Sequence, residues 1–192
     1  MTTENNTAGL DSPNLIDDNA LETNLDIDPV IIQVEKLAER QRQITAQVQI
    51  PHSIEKVWKI LTDYEALPQF IPNLAKSCLL EHPNGGIRLE QIGSQRLLNF
   101  KFCARVVLDL EEIFPKLINF QMVEGDFKGF SGCWSLEPYT VGTIQCTNLC
   151  YTIQVSTKLT MPIAIIEKRL SKDLQLNLIA IRQRANELTR VC

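Results

Sequence analysis

The sequence predicts an α+β protein in which a curved antiparallel sheet of about seven strands packs against one long C-terminal helix. Two observations support this fold class. Residues 162–188 carry aliphatic side chains at steps of three and four, the period of a helix with one apolar stripe. Roughly a hundred preceding residues form strand-like runs with short connections. Since the stripe must be buried, we expect the bent sheet to enclose a cavity with the helix.

The C-terminal helix has the clearest pattern. Its stripe consists of Ile163, Ile166, Leu170, Leu174, Leu178, Ile181, Ala185 and Leu188. Pro162 suits the first turn, and Arg182, Arg184 and Arg190 suit the far end. At about 1.5 Å per residue, such a helix extends roughly 40 Å and can cross the sheet.

The start of the body predicts one strand and two short helices. Residues 43–50 alternate between apolar and polar side chains, as in a strand with one buried face. Ser53 is a favourable N-cap for a helix from Ile54. Residues 67–73 contain two prolines and can hold only a turn of helix. Residues 30–40 are ambiguous and could form an extra edge strand.

Six further strands are predicted, and alternation assigns their faces. They cover about residues 75–81, 86–95, 97–113, 117–124, 127–137 and 143–156. Turn signals such as Asn84-Gly85-Gly86 separate them. Each run has one apolar face, so the sheet should be apolar on one side and polar on the other.

Charge is concentrated at the N-terminus. Residues 1–30 contain seven acids and no Lys or Arg, and the remaining 16 acids against 19 bases give the body a net charge of +3. We expect residues 1–29 to form a disordered acidic tail that serves solubility; an autoinhibitory or partner-binding arm is the alternative. Without a basic, aromatic-rich stripe, nucleic-acid binding is not predicted. No signal peptide or transmembrane run is recognisable, so we expect a cytoplasmic protein.

The cysteines and histidines predict neither a metal site nor a cofactor. Cys146 and Cys150 lie in a strand-like run, where four residues span about 13 Å and cannot hold one metal together. His52 and His82 each lie beside a proline. We expect the six cysteines to be reduced and to act as small apolar residues.

Three sequence motifs resemble one known superfamily. They are residues 48–51 (VQIP), residues 57–64 with 67–72 (VWKILTDY and LPQFIP), and a glycine, phenylalanine and tryptophan pattern over residues 125–134. With the element order, they resemble the helix-grip fold of the START and polyketide cyclase/dehydrase (SRPBCC) superfamily, in particular its coenzyme Q-binding branch. The likeness covers about residues 41–189 and implies a START-like domain over residues 30–192. It specifies the scaffold better than the ligand.

The resemblance implies that a hydrophobic small molecule, such as a lipid or isoprenoid quinone, binds between the sheet and the C-terminal helix. Transient contact with a membrane or protein complex would suit such a carrier. The predicted ligand contacts are Trp58, Phe70, Phe102, Phe120, Met122, Trp134, Tyr151, Ile166 and Leu170. Strand parity also places four polar side chains on the inner face: Gln91, Glu124, Thr147 and Tyr151.

Two other functions remain open. Polyketide cyclases use the same scaffold, and a cyclase needs an acid or base in the pocket, for which Glu124 and Tyr151 are the candidates. Both are candidates only for this alternative, and no catalytic residue is predicted for the favoured binding function. Ribosome-binding toxins are bacterial relatives of the coenzyme Q-binding branch, so a protein-interaction module is the second alternative.

Overall fold

The computed structural model describes residues 29–97 and 100–188. The side chains of residues 95–102 also lie outside this description. The predicted acidic tail falls almost wholly on residues 1–28, and the predicted ligand contact Phe102 falls on the undescribed side chains. Both therefore stay predictions.

Within residues 29–97 and 100–188, eight strands and two α-helices form the fold, in the order that the sequence predicts. The strands are β1 (Ile31–Ala38), β2 (Gln41–Ile50), β3 (Leu74–Leu80), β4 (Ile87–Leu97), β5 (Phe100–Ile113), β6 (Leu117–Gly125), β7 (Gly129–Val141) and β8 (Ile144–Ser156). The helices are α1 (Ile54–Thr62) and α2 (Ile163–Glu187), with a single 3-10 turn at Leu67–Gln69.

All strands belong to one antiparallel sheet in the order β1-β2-β8-β7-β6-β5-β4-β3. The helix-grip prediction is confirmed, with eight strands where about seven were expected. The additional strand is β1, the ambiguous segment, which pairs with β2 from Ile31 opposite Gln47. It lies at the sheet edge and exposes Ile31, Val34 and Leu37, so its side chains do not show the alternation of a half-buried strand.

Helix α2 packs its predicted stripe onto the sheet. Ile166, Leu174, Leu178, Ile181 and Ala185 are all buried within the main core. Ile163 and Leu170 are partly buried, and Leu188 lies just after the helix and is exposed. Among the described residues, neither helix is long and apolar enough to span a membrane.

The outer face of β3, β4 and β5 carries a charged network centred on Glu90. Glu90 is buried between the Lys76 ammonium group and the Arg105 guanidinium, whose Nε lies 2.6 Å from the carboxylate. Arg105 also pairs with Glu124, at 2.5 Å. The pKa of Glu90 is lowered from 4.5 to about 2, mainly by the hydrogen bond from Lys76 and secondly by the one from Arg105.

This network predicts an acid-sensitive contribution to stability. Because the pKa of Glu90 is lower in the folded than in the unfolded chain, its contribution is complete above pH 4.5 and is lost as the pH falls towards 2. Glu90→Gln should therefore flatten the dependence of the melting temperature on pH across that window. Glu137→Gln, at an exposed carboxylate of β7, is the control. Parallel profiles for wild type and Glu90→Gln would contradict the assignment.

Candidate functional site: a cavity between the sheet and helix α2

A cavity of about 190 Å³ lies between the inner face of the sheet and α2. Its floor is closed by fully buried residues such as Ile118, Ile153 and Ile181. Pro72 is exposed and also lines the cavity, while Asn73 and Arg169 nearby are half-buried. The opening therefore lies between the segment before β3 and the first half of α2.

The walls of this cavity are mainly apolar because the apolar face of β5 and the apolar stripe of α2 both line it. Strand β5 contributes alternate residues to the cavity: Ala104, Val106, Leu108 and Leu110. Ile166, Leu170 and Leu174 of α2 face them at helical spacing. Ala104 and Val106 are the smallest apolar side chains in this part of the lining.

Aromatic rings form the far wall, on β6, β7 and β8. Trp134 and Tyr151 are direct partners across β7 and β8, and their rings stack with centroids 3.6 Å apart. Phe120 stacks on Phe130 at 5.7 Å. Burial raises the pKa of Tyr151, so this phenol stays protonated at neutral pH. The cavity thus has a flat aromatic surface against which a hydrophobic molecule can pack.

Polar side chains gather at the open end, along one line of α2. Arg169, Asp173 and Asn177 follow one another at intervals of four residues and all line the cavity. Asp173 accepts a hydrogen bond from Nδ2 of Asn73 at 3.1 Å, and Nε of Arg169 lies 3.5 Å from its other oxygen. Burial raises the pKa of Asp173 despite Arg169 and Asn73, which act in the opposite direction.

Asn73 anchors this polar end through its backbone. Its φ of 62° lies in the left-handed region, which asparagine tolerates better than most residues. Its carbonyl accepts a hydrogen bond from the amide of Ser94 at 2.8 Å, which ties the segment to β4. The side chain is thereby directed to Asp173 on α2, so one residue connects the sheet, the 3-10 segment and the helix.

Five of the nine predicted contact residues line the cavity. They are Phe120, Trp134, Tyr151, Ile166 and Leu170. Trp58, Phe70 and Met122 do not line it, and the side chain of Phe102 is not described. Residues before β3 that were not predicted also line the cavity, including Tyr64, Leu67 and Ile71.

The three described residues outside the lining have other partners. Trp58 is buried edge-on against Phe114, with ring centroids 5.5 Å apart, because α1 directs Leu61 and not Trp58 to the cavity. The Phe70 ring lies 5.6 Å from the guanidinium of Arg184, near the end of α2. Met122 is partly buried against the main core and directly precedes the β-bulge in β6.

The four polar predictions divide between inside and outside. Gln91 and Tyr151 line the cavity. Thr147 is fully buried, and its Oγ1 donates to the carbonyl of His52 at 2.8 Å. The prediction that Glu124 points inward was wrong. Leu108 pairs with Met122, whereas the preceding residue Val107 pairs with Glu124. Val123 is therefore an extra residue on β6, and this bulge turns the side chain of Glu124 to the outer face, where it is exposed.

The described cysteines are free thiols: Cys78, Cys103, Cys133, Cys146 and Cys150. Cys192 lies outside the described residues. Across residues 29–97 and 100–188, no three side chains of His, Cys, Asp or Glu come close enough to hold a metal ion.

Comparison with known proteins identifies the class to which this fold and cavity belong. Residues 50–179 match the family described as polyketide cyclase/dehydrase and lipid transport. This match covers most of the chain, and the protein belongs to that family. The more specific coenzyme Q-binding branch stays a prediction.

The individual relatives share low sequence identity with this chain. The ribosome association toxin RatA of Escherichia coli (strain K12) is 28% identical over 96 residues, which cover 50% of this chain and 58% of the toxin. The chain thus matches little more than half the length of that relative.

Two solved structures show the same fold. A START superfamily protein from Mycobacterium smegmatis superposes with a TM-score of 0.63 at 20% identity, covering 76% of this chain and 98% of that one. The Zhui aromatase/cyclase from Streptomyces sp. R1128 gives 0.57 at 17% identity, covering 76% and 94%.

Proposed function

We propose that the protein binds a hydrophobic small molecule in the cavity between the sheet and α2, within the domain predicted over residues 30–192. One observation carries the proposal: an apolar cavity with an aromatic wall, reached from a polar opening. Its volume of about 190 Å³ exceeds that of the engineered apolar cavity of about 150 Å³ that binds benzene. A ring or a segment of an aliphatic chain therefore fits.

Family membership supports the ligand class but not its identity. The lining suits a lipid, an isoprenoid quinone or a similar molecule, packed on Trp134 and Tyr151 and held by Ile166 and Leu170. A carrier of this kind would exchange its ligand during transient contact with a membrane or a protein complex. We also propose that the protein is cytoplasmic, as predicted from the sequence.

The positions of the two tryptophans provide the test. Trp134 lines the cavity, whereas Trp58 lies outside the lining and packs on Phe114. In Trp58→Phe, all tryptophan emission comes from Trp134, and titration with 1-octanol should change its intensity and saturate. In Trp134→Phe, the remaining Trp58 should respond much less.

Two outcomes of this titration would contradict the proposal. One is an absence of any saturable change in Trp58→Phe, with calorimetry also showing no binding to wild type. The other is an equal response from Trp58 and Trp134, which would indicate non-specific binding or unfolding. A melting curve for each variant, with and without 1-octanol, shows whether the variant is folded during the titration.

An enzymatic role has one supporting observation. Asp173 is a carboxyl group in the cavity lining with a raised pKa, as a general acid or base requires. Of the candidates from the sequence, Glu124 is exposed and Tyr151 is stacked on Trp134. Asp173→Asn would abolish turnover of a bound substrate if Asp173 is catalytic. In a binding protein the same change would alter affinity alone.

The match to RatA supports the interaction-module alternative. That toxin is named for association with ribosomes, and the similarity covers 58% of its length. Sedimentation of the purified chain with ribosomes, together with no apolar ligand binding, would favour this function over ligand binding.

A further inference from the structure

The segment between β8 and α2 exposes apolar side chains to solvent. Leu159 is 88% exposed, more than any other large apolar residue that the structure describes, and Ile165 in the first turn of α2 is 59% exposed. Pro162, immediately before the helix, is exposed as well. A single exposed apolar residue needs no explanation, but these three lie within seven residues and form an apolar tip of the kind that marks interaction sites.

The apolar tip is held in a fixed turn by hydrogen bonds. Arg40, between β1 and β2, donates from Nη2 to the carbonyl oxygens of Lys158 and Met161, the second at 2.7 Å. Its Nε donates to the carbonyl oxygen of Thr157 at 3.4 Å. The amide of Met161 also donates to the carbonyl oxygen of Lys158, at 3.0 Å. The exposure of Leu159 is therefore a property of an anchored turn.

Lysines surround the apolar tip. Lys158 directly precedes Leu159, and Lys168 and Lys172 follow Ile165 at steps of three and four along α2. Residues at these steps share one face of a helix, and all three lysines are exposed. The outer face of this end of α2 thus combines an exposed isoleucine with positive charge.

The two acids of the same region do not neutralise these lysines. Glu167 lies 2.5 Å from Nε of Arg42 on β2. Asp173 is paired with Arg169, whose Nε lies 3.5 Å away. Because each acid is engaged by an arginine, the lysines around the apolar tip keep their charge for an external anion.

The apolar tip also lies next to the opening of the cavity. Arg169, Leu170 and Asp173 line the cavity from the same turns of α2 that carry Lys168 and Lys172 on the exposed face. A molecule that leaves through the opening therefore emerges beside the exposed apolar and basic side chains.

We propose that the apolar tip and its three lysines dock on an anionic lipid bilayer, with Leu159 and Ile165 entering the boundary between headgroups and acyl chains. The inference rests on the proposed function, because it names the surface where a carrier would meet the membrane that supplies or receives its ligand. Apolar side chains gain burial at such a surface, and lysines are attracted by anionic headgroups. Protein interfaces are depleted in lysine, so a lipid surface fits better than a protein partner.

Co-sedimentation of the full-length chain with vesicles tests the proposal. Vesicles of phosphatidylcholine alone are compared with vesicles of phosphatidylcholine and phosphatidylserine in equal amounts, for wild type, Leu159→Ser and Lys168→Glu. Val141→Ser and Lys59→Glu are the matched controls, since both replace exposed residues. Val141 lies in the turn before β8 and Lys59 on α1 after β2, whereas Leu159 follows the opposite end of β8.

The expected result is a loss of binding in two of the four variants. Wild type should prefer the anionic vesicles by at least about fivefold, as one or more lysines near the surface require. Leu159→Ser should weaken binding to them about tenfold, the contribution of one buried leucine, and Lys168→Glu by at least about fivefold. Both control variants should bind as wild type does. None of the four positions lines the cavity, so the affinity for 1-octanol and the melting temperature should stay unchanged.

Other outcomes separate the two proposals. If wild type does not bind anionic vesicles, or if Leu159→Ser and Lys168→Glu bind them as wild type does, the docking inference is wrong. The cavity proposal still stands in that case if wild type binds 1-octanol. Sedimentation with ribosomes but not with vesicles would also overturn the docking inference and assign the apolar tip to a macromolecular partner. If both variants lose vesicle binding but wild type does not bind 1-octanol, the docking surface stands and the ligand-binding function fails.

Discussion

Gly132→Ala should destabilise the protein by at least about 3 kcal/mol, the largest stability effect expected for so small a change. A Cβ atom at this position would lie 2.0 Å from the carbonyl oxygen of Thr152 and 2.6 Å from Cζ of Phe120. The first of these is backbone within the β7–β8 ladder, so it cannot move without separating the strands. The second is the ring that forms part of the cavity wall.

Gly129→Ala is a matched control in the same strand. There the added Cβ would lie 3.7 Å from the Cβ of Ser156, an ordinary van der Waals contact. Urea unfolding should show a large decrease in midpoint for Gly132→Ala and a small change for Gly129→Ala. Equal midpoints for the two variants would mean that β7 does not approach β8 and Phe120 as closely as described.

Ala104→Phe should produce the largest loss of ligand binding. Ala104 lines the cavity from β5, and a phenyl ring there would occupy space that the ligand needs. Because the ring enters free volume, it should cost less than the 1–3 kcal/mol typical of overpacking. We expect the affinity for 1-octanol to fall at least about tenfold, a difference of 1.4 kcal/mol, while the melting temperature changes little.

Cys103→Phe tests whether the position of the ring matters. Cys103 is the preceding residue of β5 and is exposed on the opposite face of the sheet, so the same ring should leave binding unchanged. Calorimetric titration beside a melting curve measures both effects for each variant. Strong destabilisation by Ala104→Phe would indicate a filled core, and undiminished affinity would place the ligand elsewhere.

The architecture was predictable because each element carries its own period. The α2 stripe through Ile166, Leu174 and Ile181 fixes which face of the helix is buried, and alternation along β5 fixes which residues face it. Strand β1 was ambiguous because an edge strand that exposes Ile31 and Val34 lacks a buried face to mark it.

The lining of the candidate site could be predicted on the strands only where the alternation of side chains is unbroken. Phe120, Trp134 and Tyr151 reach the cavity as alternation requires, but the bulge in β6 turns Glu124 away. The polar opening depends on Asn73, whose left-handed backbone in a turn has no periodicity from which a contact with α2 could be predicted. Spacing by four along Arg169, Asp173 and Asn177 was the available signal, and it resembles an ordinary solvated helix face.

Native mass spectrometry of the purified wild-type protein tests the central claim most directly. If the cavity holds a hydrophobic ligand, the spectrum should contain a species heavier than the chain by the mass of one small molecule. Solvent extraction should recover that molecule, and Ala104→Phe prepared in parallel should carry much less of it. A spectrum of bare protein alone, together with no binding of added 1-octanol, would contradict a ligand-binding function.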